Sequence, residues 1–128
     1  MIEFELQPSD GILIIRPTGR LEASDFENVA REVDPYIEAN GRLQGLLLEA
    51  EAFPGWKDFA AMVAHFRFIR DHHRKIEKLA VVSDSSFLTV APNFASHFVQ
   101  AEIRHFPPSR RDEAVAWLHE TGPSQPSQ

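Results

Sequence analysis

Apolar and polar residues alternate over residues 2–6, at the start of the chain. This period of two is typical of a half-buried strand. A Pro-Ser-Asp-Gly cluster at residues 8–11 is typical of a turn, and residues 12–15 are continuously apolar, which predicts a second and more central strand. Because the connection is so short, we predict that the two strands pair as an antiparallel hairpin.

The pattern then changes to helical spacing. Ser24 and Glu27 have the spacing of a capping box and predict the start of a first helix. Pro35 has no backbone N–H, so it should kink the last turn or end the regular helix near Asp34. Asn40-Gly41 is a plausible stop signal. The positions expected on the inner face of this helix are Phe26, Val29, Ala30, Val33 and Ile37.

Strands and helices alternate along the rest of the chain. Apolar runs predict strands at residues 44–49, 79–82 and 102–106, and the final helix should follow Pro107-Pro108-Ser109. The predicted order is β-β-α-β-α-β-α-β-α. The fold class is therefore α/β, with a five-stranded mixed sheet whose first strand is antiparallel, whose other strands are parallel, and which has helices on both faces.

Three helices are predicted after the first. The second covers residues 57–73, and its apolar stripe consists of Phe59, Met62, Val63, Phe66 and Ile69. The third is shorter and holds Val90, Phe94 and Phe98, with Pro92 in its first turn. The last helix should direct Ala114, Val115, Trp117 and Leu118 inward. The domain should span residues 1–120, and the Pro-, Ser- and Gln-rich residues 121–128 should form a disordered tail.

Composition narrows the function classes. The chain has 128 residues, which suits one domain, and a formal net charge of −6, which argues against nucleic-acid binding. It has no cysteine, so disulfides and thiolate chemistry are excluded. The N-terminal pattern predicts no signal peptide, and no apolar run approaches the ~18 residues of a membrane span. We therefore expect a cytoplasmic protein, with peripheral contact at the inner face of the membrane left open.

Candidate ligand-contacting residues lie after the third predicted strand. Phe53 and Trp56 flank a Pro-Gly turn at the carboxyl end of that strand, where open α/β sheets usually bind ligands. The two rings either cap the local core or border an apolar pocket. Phe59, Met62, Phe66, Phe94 and Phe98 are candidates to line the same cavity, although a stripe at helical spacing is also typical of ordinary core.

The element order and several motifs resemble the SpoIIAA-like family of small bacterial proteins, which have a STAS/SEC14-type domain. The motifs are Gly-Arg-Leu at residues 19–21, Gly-Trp-Lys-Asp-Phe at 55–59, Lys-Leu-Ala-Val-Val-Ser-Asp at 78–84, Ala-Glu-Ile-Arg-His-Phe at 101–106 and Asp-Glu-Ala-Val-Ala-Trp-Leu at 112–118. The resemblance implies ligand binding or membrane association through an apolar cavity whose helices can open. The more distant anti-sigma-factor antagonists carry a phosphorylatable serine after the third strand, but residues 49–58 here contain no Ser, Thr or Tyr.

Other polar residues have weaker functional readings. Arg20 either pairs with an acidic neighbour or binds an anionic head group, and Asp84 either caps a helix or makes polar contacts at the pocket mouth.

The six histidines show no metal-ligand spacing, so no metal and no cofactor are predicted. Ser85 and Ser86 lack the glycine elbow and the base of a nucleophilic serine, which disfavours a hydrolase. A group of basic side chains is interpreted as the solvated end of the second helix. Its members are Arg67, Arg70, Arg74, Lys75 and Lys78.

The sequence thus predicts a non-enzymatic domain that binds an apolar or amphiphilic small molecule, at a membrane surface or away from one. The predicted ligand-binding residues are Arg20, Phe53, Trp56, Phe59, Met62, Phe66, Asp84, Phe94 and Phe98. The alternative is a protein–protein interaction module in a regulatory pathway without a phosphoserine switch. Whether the chain is a monomer or a homodimer stays open.

Overall fold

A five-stranded sheet forms the centre of the protein, in a computed structural model that describes residues 1–50, 55–83 and 102–120. The strands are β1 (Ile2–Gln7), β2 (Ile12–Pro17), β3 (Leu43–Glu49), β4 (Ile76–Val82) and β5 (Glu102–Phe106), and they lie in that order across the sheet. Only β1 is antiparallel to its neighbour; β2 to β5 are parallel. The predicted fold class is therefore confirmed.

Three helices flank the sheet in the described residues: α1 (Ala23–Asn40), α2 (Phe59–His72) and α3 (Arg111–His119). Short 3₁₀ turns at His73–Lys75 and Pro108–Arg110 precede β4 and α3. The helix predicted around Val90, Phe94 and Phe98 and the predicted tail lie outside the described residues.

The two faces of the sheet are buried by different helices, because successive side chains of a strand point to opposite sides. On one face, Leu13 and Leu46 pack with Val29 and Val33 of α1, and Phe68 of α2 lies against the same cluster. On the other face, Ile14, Leu47 and Ala80 pack with α3, and the α3 residues in that cluster are Ala114, Trp117 and Leu118. The expectation of helices on both faces is met.

Helix α1 differs from the prediction at its start and in its middle. The capping box is formed by Glu22 and Asp25, since the Glu22 N–H donates to Asp25 Oδ2 at 2.7 Å, rather than by Ser24 and Glu27. Of the two alternatives for Pro35, an end of the helix near Asp34 is wrong, because α1 continues through Pro35 to Asn40. Pro35 is exposed, so the carbonyl that loses its helical donor lies on the side where water can bond it.

Packing on both sides of Pro35 holds α1 together. The buried residues of the helix are Phe26, Val29, Val33 and Ile37, which span the proline. Gly41 ends the helix as expected, with φ of 92° and its N–H donating to Ile37 O at 2.6 Å.

Helix α2 is rotated relative to its apolar pattern. Its buried residues are Ala61, Ile69 and His72. Phe59 is 74% exposed and Phe66 is 38% exposed, so these two members of the predicted stripe do not belong to the core, whereas Ile69 does. The small side chain of Ala61 allows α2 to lie close to its neighbours. The ring nitrogens of His72 lie 2.8 Å from Phe68 O and 2.7 Å from Asp34 Oδ1. Polar contacts therefore decide the orientation of α2 together with apolar ones.

Lys78 also differs from the prediction. It belongs to β4 and is fully buried, and is therefore no part of a solvated helix end. Its Nζ donates to Trp117 O at 3.1 Å and to Glu120 O at 3.0 Å, and lies 5.2 Å from the centre of the Trp117 ring. The ammonium group thus caps the carbonyls at the end of α3, where a cation is favourable.

Candidate functional site

The loops after β2 and β3 meet at one edge of the sheet. Because β2 to β5 run parallel, their carboxyl ends share this edge, which is where α/β sheets usually bind ligands. The Leu21 N–H donates to Gly55 O and the Lys57 N–H donates to Leu21 O, both at 2.8 Å, so that Leu21 and Trp56 form a parallel bridge. The segment that carries Trp56 is therefore held against the loop after β2.

Polar contacts fix the start of α2 beside Trp56. Asp58 Oδ1 accepts from the Ala61 N–H at 2.9 Å and so caps the helix. Lys57 Nζ lies 2.9 Å from Glu22 Oε1, and the hydrogen bond and charge of Glu22 raise the pKa of the Lys57 ammonium. The Lys57 side chain is 61% exposed, so this ion pair lies at the surface. Surface ion pairs add little to the free energy of unfolding, and this one mainly holds the Lys57 side chain against the start of α1.

The Trp56 ring lies half-buried against two rings of α2. Its Nε1 donates to His65 Nδ1 at 3.1 Å, and its centroid lies 5.7 Å from that of Phe66 in an edge-to-face arrangement. On its other side His65 stacks on Phe26 of α1, with centroids 4.9 Å apart and planes 12° apart. Trp56 therefore has the surroundings of a partly covered ring at the edge of the core.

An apolar strip runs along α2 next to Trp56, and we call it the outer stripe. Its residues are Phe59, Met62, Val63 and Phe66, one helical face by their spacing. Phe59 and Phe66 are the large exposed members, and Met62 and Val63 are half-buried. Neighbouring exposed apolar side chains commonly mark an interaction or ligand site.

The structure brings some of the predicted ligand-binding residues together. Trp56, Phe59, Met62 and Phe66 lie at one place, on or next to the outer stripe, and Arg20 is exposed beside Leu21 in the loop that pairs with Trp56. The remaining predicted residues, Phe53, Asp84, Phe94 and Phe98, lie outside the described residues. A cavity bordered by all of them therefore stays a prediction.

A charged cluster on the other face of the sheet was not predicted. Glu49, at the end of β3, receives Arg111 Nε at 3.1 and 3.0 Å and Arg16 Nε at 2.9 Å. Partial burial alone raises the pKa of the Glu49 carboxyl, but the bonds and charges of Arg111 and Arg16 outweigh it and hold that pKa below its ordinary value. The sequence signal for this cluster was weak: Arg16 and Glu49 both lie near the carboxyl ends of predicted strands.

Ser83 and His105 also meet at the carboxyl edge. His105 Nε2 lies 3.1 Å from Ser83 Oγ and 2.9 Å from the carbonyl oxygen of the same residue. A ring nitrogen that donates to a carbonyl cannot also accept the hydroxyl proton, as a general base must. Ser83 is also 1% exposed, so the pair joins β4 to β5 and does not resemble an activated nucleophile.

A small cleft of about 180 Å³ lies between α1 and the end of α2. It is lined by Asp34, Ile37, Glu38, Asp71, His72 and Lys75. Its lining is largely charged, unlike the outer stripe, so it does not match an apolar ligand.

The described part of the chain contains neither a metal-ligand cluster nor a membrane-spanning helix. In residues 1–50, 55–83 and 102–120, no group of three or more His, Cys, Asp or Glu side chains could hold a metal ion. Over the same residues, no helix is long and apolar enough to cross a membrane.

Comparison with known proteins places the chain in a family. The model of the SpoIIAA-like family matches residues 12–119. A crystal structure of an uncharacterised protein with a SpoIIAA-like fold from Shewanella loihica PV-4 superposes with a TM-score of 0.67 at 18% identity, covering 92% of each chain. At that identity the likeness shows the fold alone. No curated protein matches.

Proposed function

Because the chain belongs to the SpoIIAA-like family, whose fold suggests a regulatory or binding domain, we propose that it binds an apolar or amphiphilic small molecule without catalysing a reaction. The family is generally non-enzymatic. The observation that carries the proposal is the outer stripe, in which Phe59 is 74% exposed and Phe66, 38% exposed, packs edge-to-face on the Trp56 ring.

Burial of the outer stripe supplies the binding energy in this proposal. Exposed aromatic side chains gain roughly 25 cal/mol for each Å² of apolar surface that a ligand covers. Phe59 and Phe66 are separated by two helical turns, which is about 10 Å at 1.5 Å per residue. A ligand that covers both rings needs an extended apolar part of similar length, such as an acyl chain.

The polar end of the ligand belongs next to Trp56. Lys57 and Arg20 are exposed cationic side chains on the two loop segments joined by the Leu21–Trp56 bridge. An anionic or zwitterionic head group placed there meets positive charge while its apolar part follows α2. Of the two alternatives for Arg20, the proposal takes binding of an anionic head group, and it adds Lys57, whose ammonium group also contacts Glu22.

The outer stripe also favours a second candidate, a protein-interaction module. Apolar residues at positions i, i+3, i+4 and i+7 of a helix are the pattern by which helices dock on protein partners. Such a partner covers the same residues but requires no head-group cation. Native mass spectrometry separates the two candidates, since it reports a retained small molecule and a second chain as different masses.

The test is a double substitution in the outer stripe, Phe59→Ser with Phe66→Ser. Binding of anilinonaphthalene sulfonate, an amphiphilic anion, is measured by fluorescence titration. We expect the affinity to fall by about tenfold or more, because a loss of ~1.4 kcal/mol already gives a factor of ten. The matched control, Ala60→Ser with Arg67→Ser, changes exposed residues of the same helix and should leave the affinity within about twofold.

Equal dye affinity in the double variant and the control would contradict the proposal. A second titration with vesicles containing an anionic phospholipid tests the membrane setting separately. If the variant loses vesicle association as well, the ligand site faces the lipid surface; if only dye binding is lost, the ligand is a free small molecule.

A further inference from the structure

We propose that the hydrogen bond between Trp56 and His65 is a pH-sensitive switch, which releases Trp56 from α2 when His65 is protonated. The inference rests on the proposed function, because Trp56 lies beside the outer stripe, and it concerns the regulation of that same site.

The chemistry of the two groups sets the direction of the switch. Trp56 Nε1 carries a hydrogen and can only donate, so the His65 nitrogen 3.1 Å away must accept through a free lone pair. An imidazolium ring carries hydrogen on both nitrogens and has no such lone pair. Protonation at Nδ1 therefore removes the acceptor and sets two N–H groups against each other. Rotating the ring does not restore the bond, because the other nitrogen is protonated too.

His65 lies among aromatic rings. Its faces stack on Phe26 and lie close to Phe66, and the Trp56 ring is 6.0 Å away. Among these described contacts, ring stacking needs no lone pair on His65, whereas the hydrogen bond from Trp56 needs one on Nδ1. Histidine ordinarily titrates at about pH 6.5, within the physiological range.

Among the described residues, charged side chains contact α2 at its two ends. At its start, Glu22 pairs with Lys57, and Asp58 caps the first turn. At its end, Asp34 of α1 receives His72, whose ring meets oxygen acceptors through both nitrogens. His72 and His65 therefore differ in the partners of their ring nitrogens. A doubly protonated His72 ring can donate to both of its neighbours, whereas a doubly protonated His65 ring loses its bond to Trp56.

Release of Trp56 changes access to the outer stripe. The indole ring packs edge-to-face on Phe66, 5.7 Å away, and so covers part of one of the two large members of the stripe. When the bond to His65 is lost, Trp56 can turn away from Phe66. The geometry thus points to greater exposure of the ligand surface at acidic pH.

Nuclear magnetic resonance tests the switch without any ligand. The chain has two tryptophans, so a Trp117→Phe variant assigns the indole N–H resonance of Trp56. We expect this resonance to shift between pH 8 and pH 5 with the same midpoint as the ring resonances of His65. In His65→Phe, which keeps a ring on Phe26 but has no acceptor, the Trp56 resonance should stay near its acidic position at every pH. His72→Gln should leave the transition in place.

Two results overturn the proposal: a Trp56 resonance that does not move, or one that still moves in His65→Phe. Dye titration of the wild type at a fixed neutral pH tests the proposed function on its own. If dye binding depends on the outer stripe but the resonance is static, the ligand site stands and the switch fails. If the resonance titrates but Phe59→Ser with Phe66→Ser binds dye normally, the switch stands and the proposed ligand site fails.

Discussion

Lys78 and the carbonyls at the end of α3 show how much of this structure depends on polar contacts that a hydropathy pattern does not reveal. Lys78 sits in a parallel strand that is buried on both faces, with no exposed part. Sequence analysis assigned it to a solvated helix end because it follows Arg74 and Lys75. The three-dimensional partners of its ammonium group, Trp117 O and Glu120 O, are about forty residues away along the chain, and no local signal announces them.

The first prediction concerns this lysine. Replacing Lys78 with Met keeps the length of the side chain but leaves the two α3 carbonyls without their donor. We expect a loss of about 1–3 kcal/mol in the free energy of unfolding, measured by urea denaturation. Lys75→Met, at an exposed position three residues earlier, should change stability by about 0.5 kcal/mol or less. Equal stability of the two variants would show that the buried ammonium adds nothing.

The second prediction concerns His119 at the end of α3. A hydrogen bond with Val115 O at 2.8 Å and then one with Asp10 Oδ2 at 3.2 Å raise the pKa of His119 above its ordinary value of 6.5. Because the folded-state pKa is the higher one, this contribution to stability is complete below the unfolded value and is lost as the pH rises through the folded value. Titration by nuclear magnetic resonance should show a lower His119 pKa in Asp10→Asn, and no change in Glu3→Gln. An unchanged pKa in Asp10→Asn would remove Asp10 as a cause.

At the scale of elements, the sequence predicted the strands better than it predicted the start of α1 or the orientation of α2. Alternating and continuous apolar runs predicted β1 to β5 correctly. A strand that is buried on one face gives an alternating pattern, and a strand that is buried on both faces gives a continuous one. The orientation of α2 was missed because Phe59 and Phe66 are more apolar than Ala61 and His72, which are buried in their place. Close packing and a hydrogen bond to Asp34 decided the rotation, and neither is visible in hydropathy.

The third prediction tests how closely α3 lies on the sheet. A Cβ added at Gly45 of β3 would lie 2.8 Å from Leu118 Cδ2 and 3.2 Å from Leu118 Cβ. Gly45→Ala should therefore cost about 1–3 kcal/mol of stability by overpacking, measured by thermal or urea unfolding. Gly45→Ala combined with Leu118→Val should recover part of that loss. A neutral single variant would mean that α3 can move away from the sheet without cost.

At the scale of the whole molecule, the fold and family could be predicted, while only part of the candidate ligand site could be compared with the structure. Element order and several short motifs together specify the SpoIIAA-like fold, and the family match over residues 12–119 agrees. Trp56 and the outer stripe lie together because the Leu21–Trp56 bridge joins two loops at the carboxyl edge. The predicted contributions of Phe53, Asp84, Phe94 and Phe98 fall outside the described residues and stay predictions.

The fourth prediction concerns regulation by phosphorylation. Residues 49–58 contain no hydroxyl side chain, so the loop after β3 offers no site to a serine, threonine or tyrosine kinase. Intact-mass analysis after incubation with a serine kinase from a sigma-factor pathway should show no stoichiometric addition. A full phosphate on Ser83, Ser85 or Ser86 would show that the switch is present at another position.

The most direct test of ligand binding beside Trp56 is a pair of measurements on one preparation of Trp56→Ala. If Trp56 borders a ligand site, we expect dye affinity to change by severalfold while the free energy of unfolding falls by about 1–2 kcal/mol, as for a partly exposed side chain. A buried core aromatic would instead cost about 3–5 kcal/mol. Destabilisation of that larger size, with dye and vesicle binding unaltered, would contradict the account and leave Trp56 as an ordinary core residue.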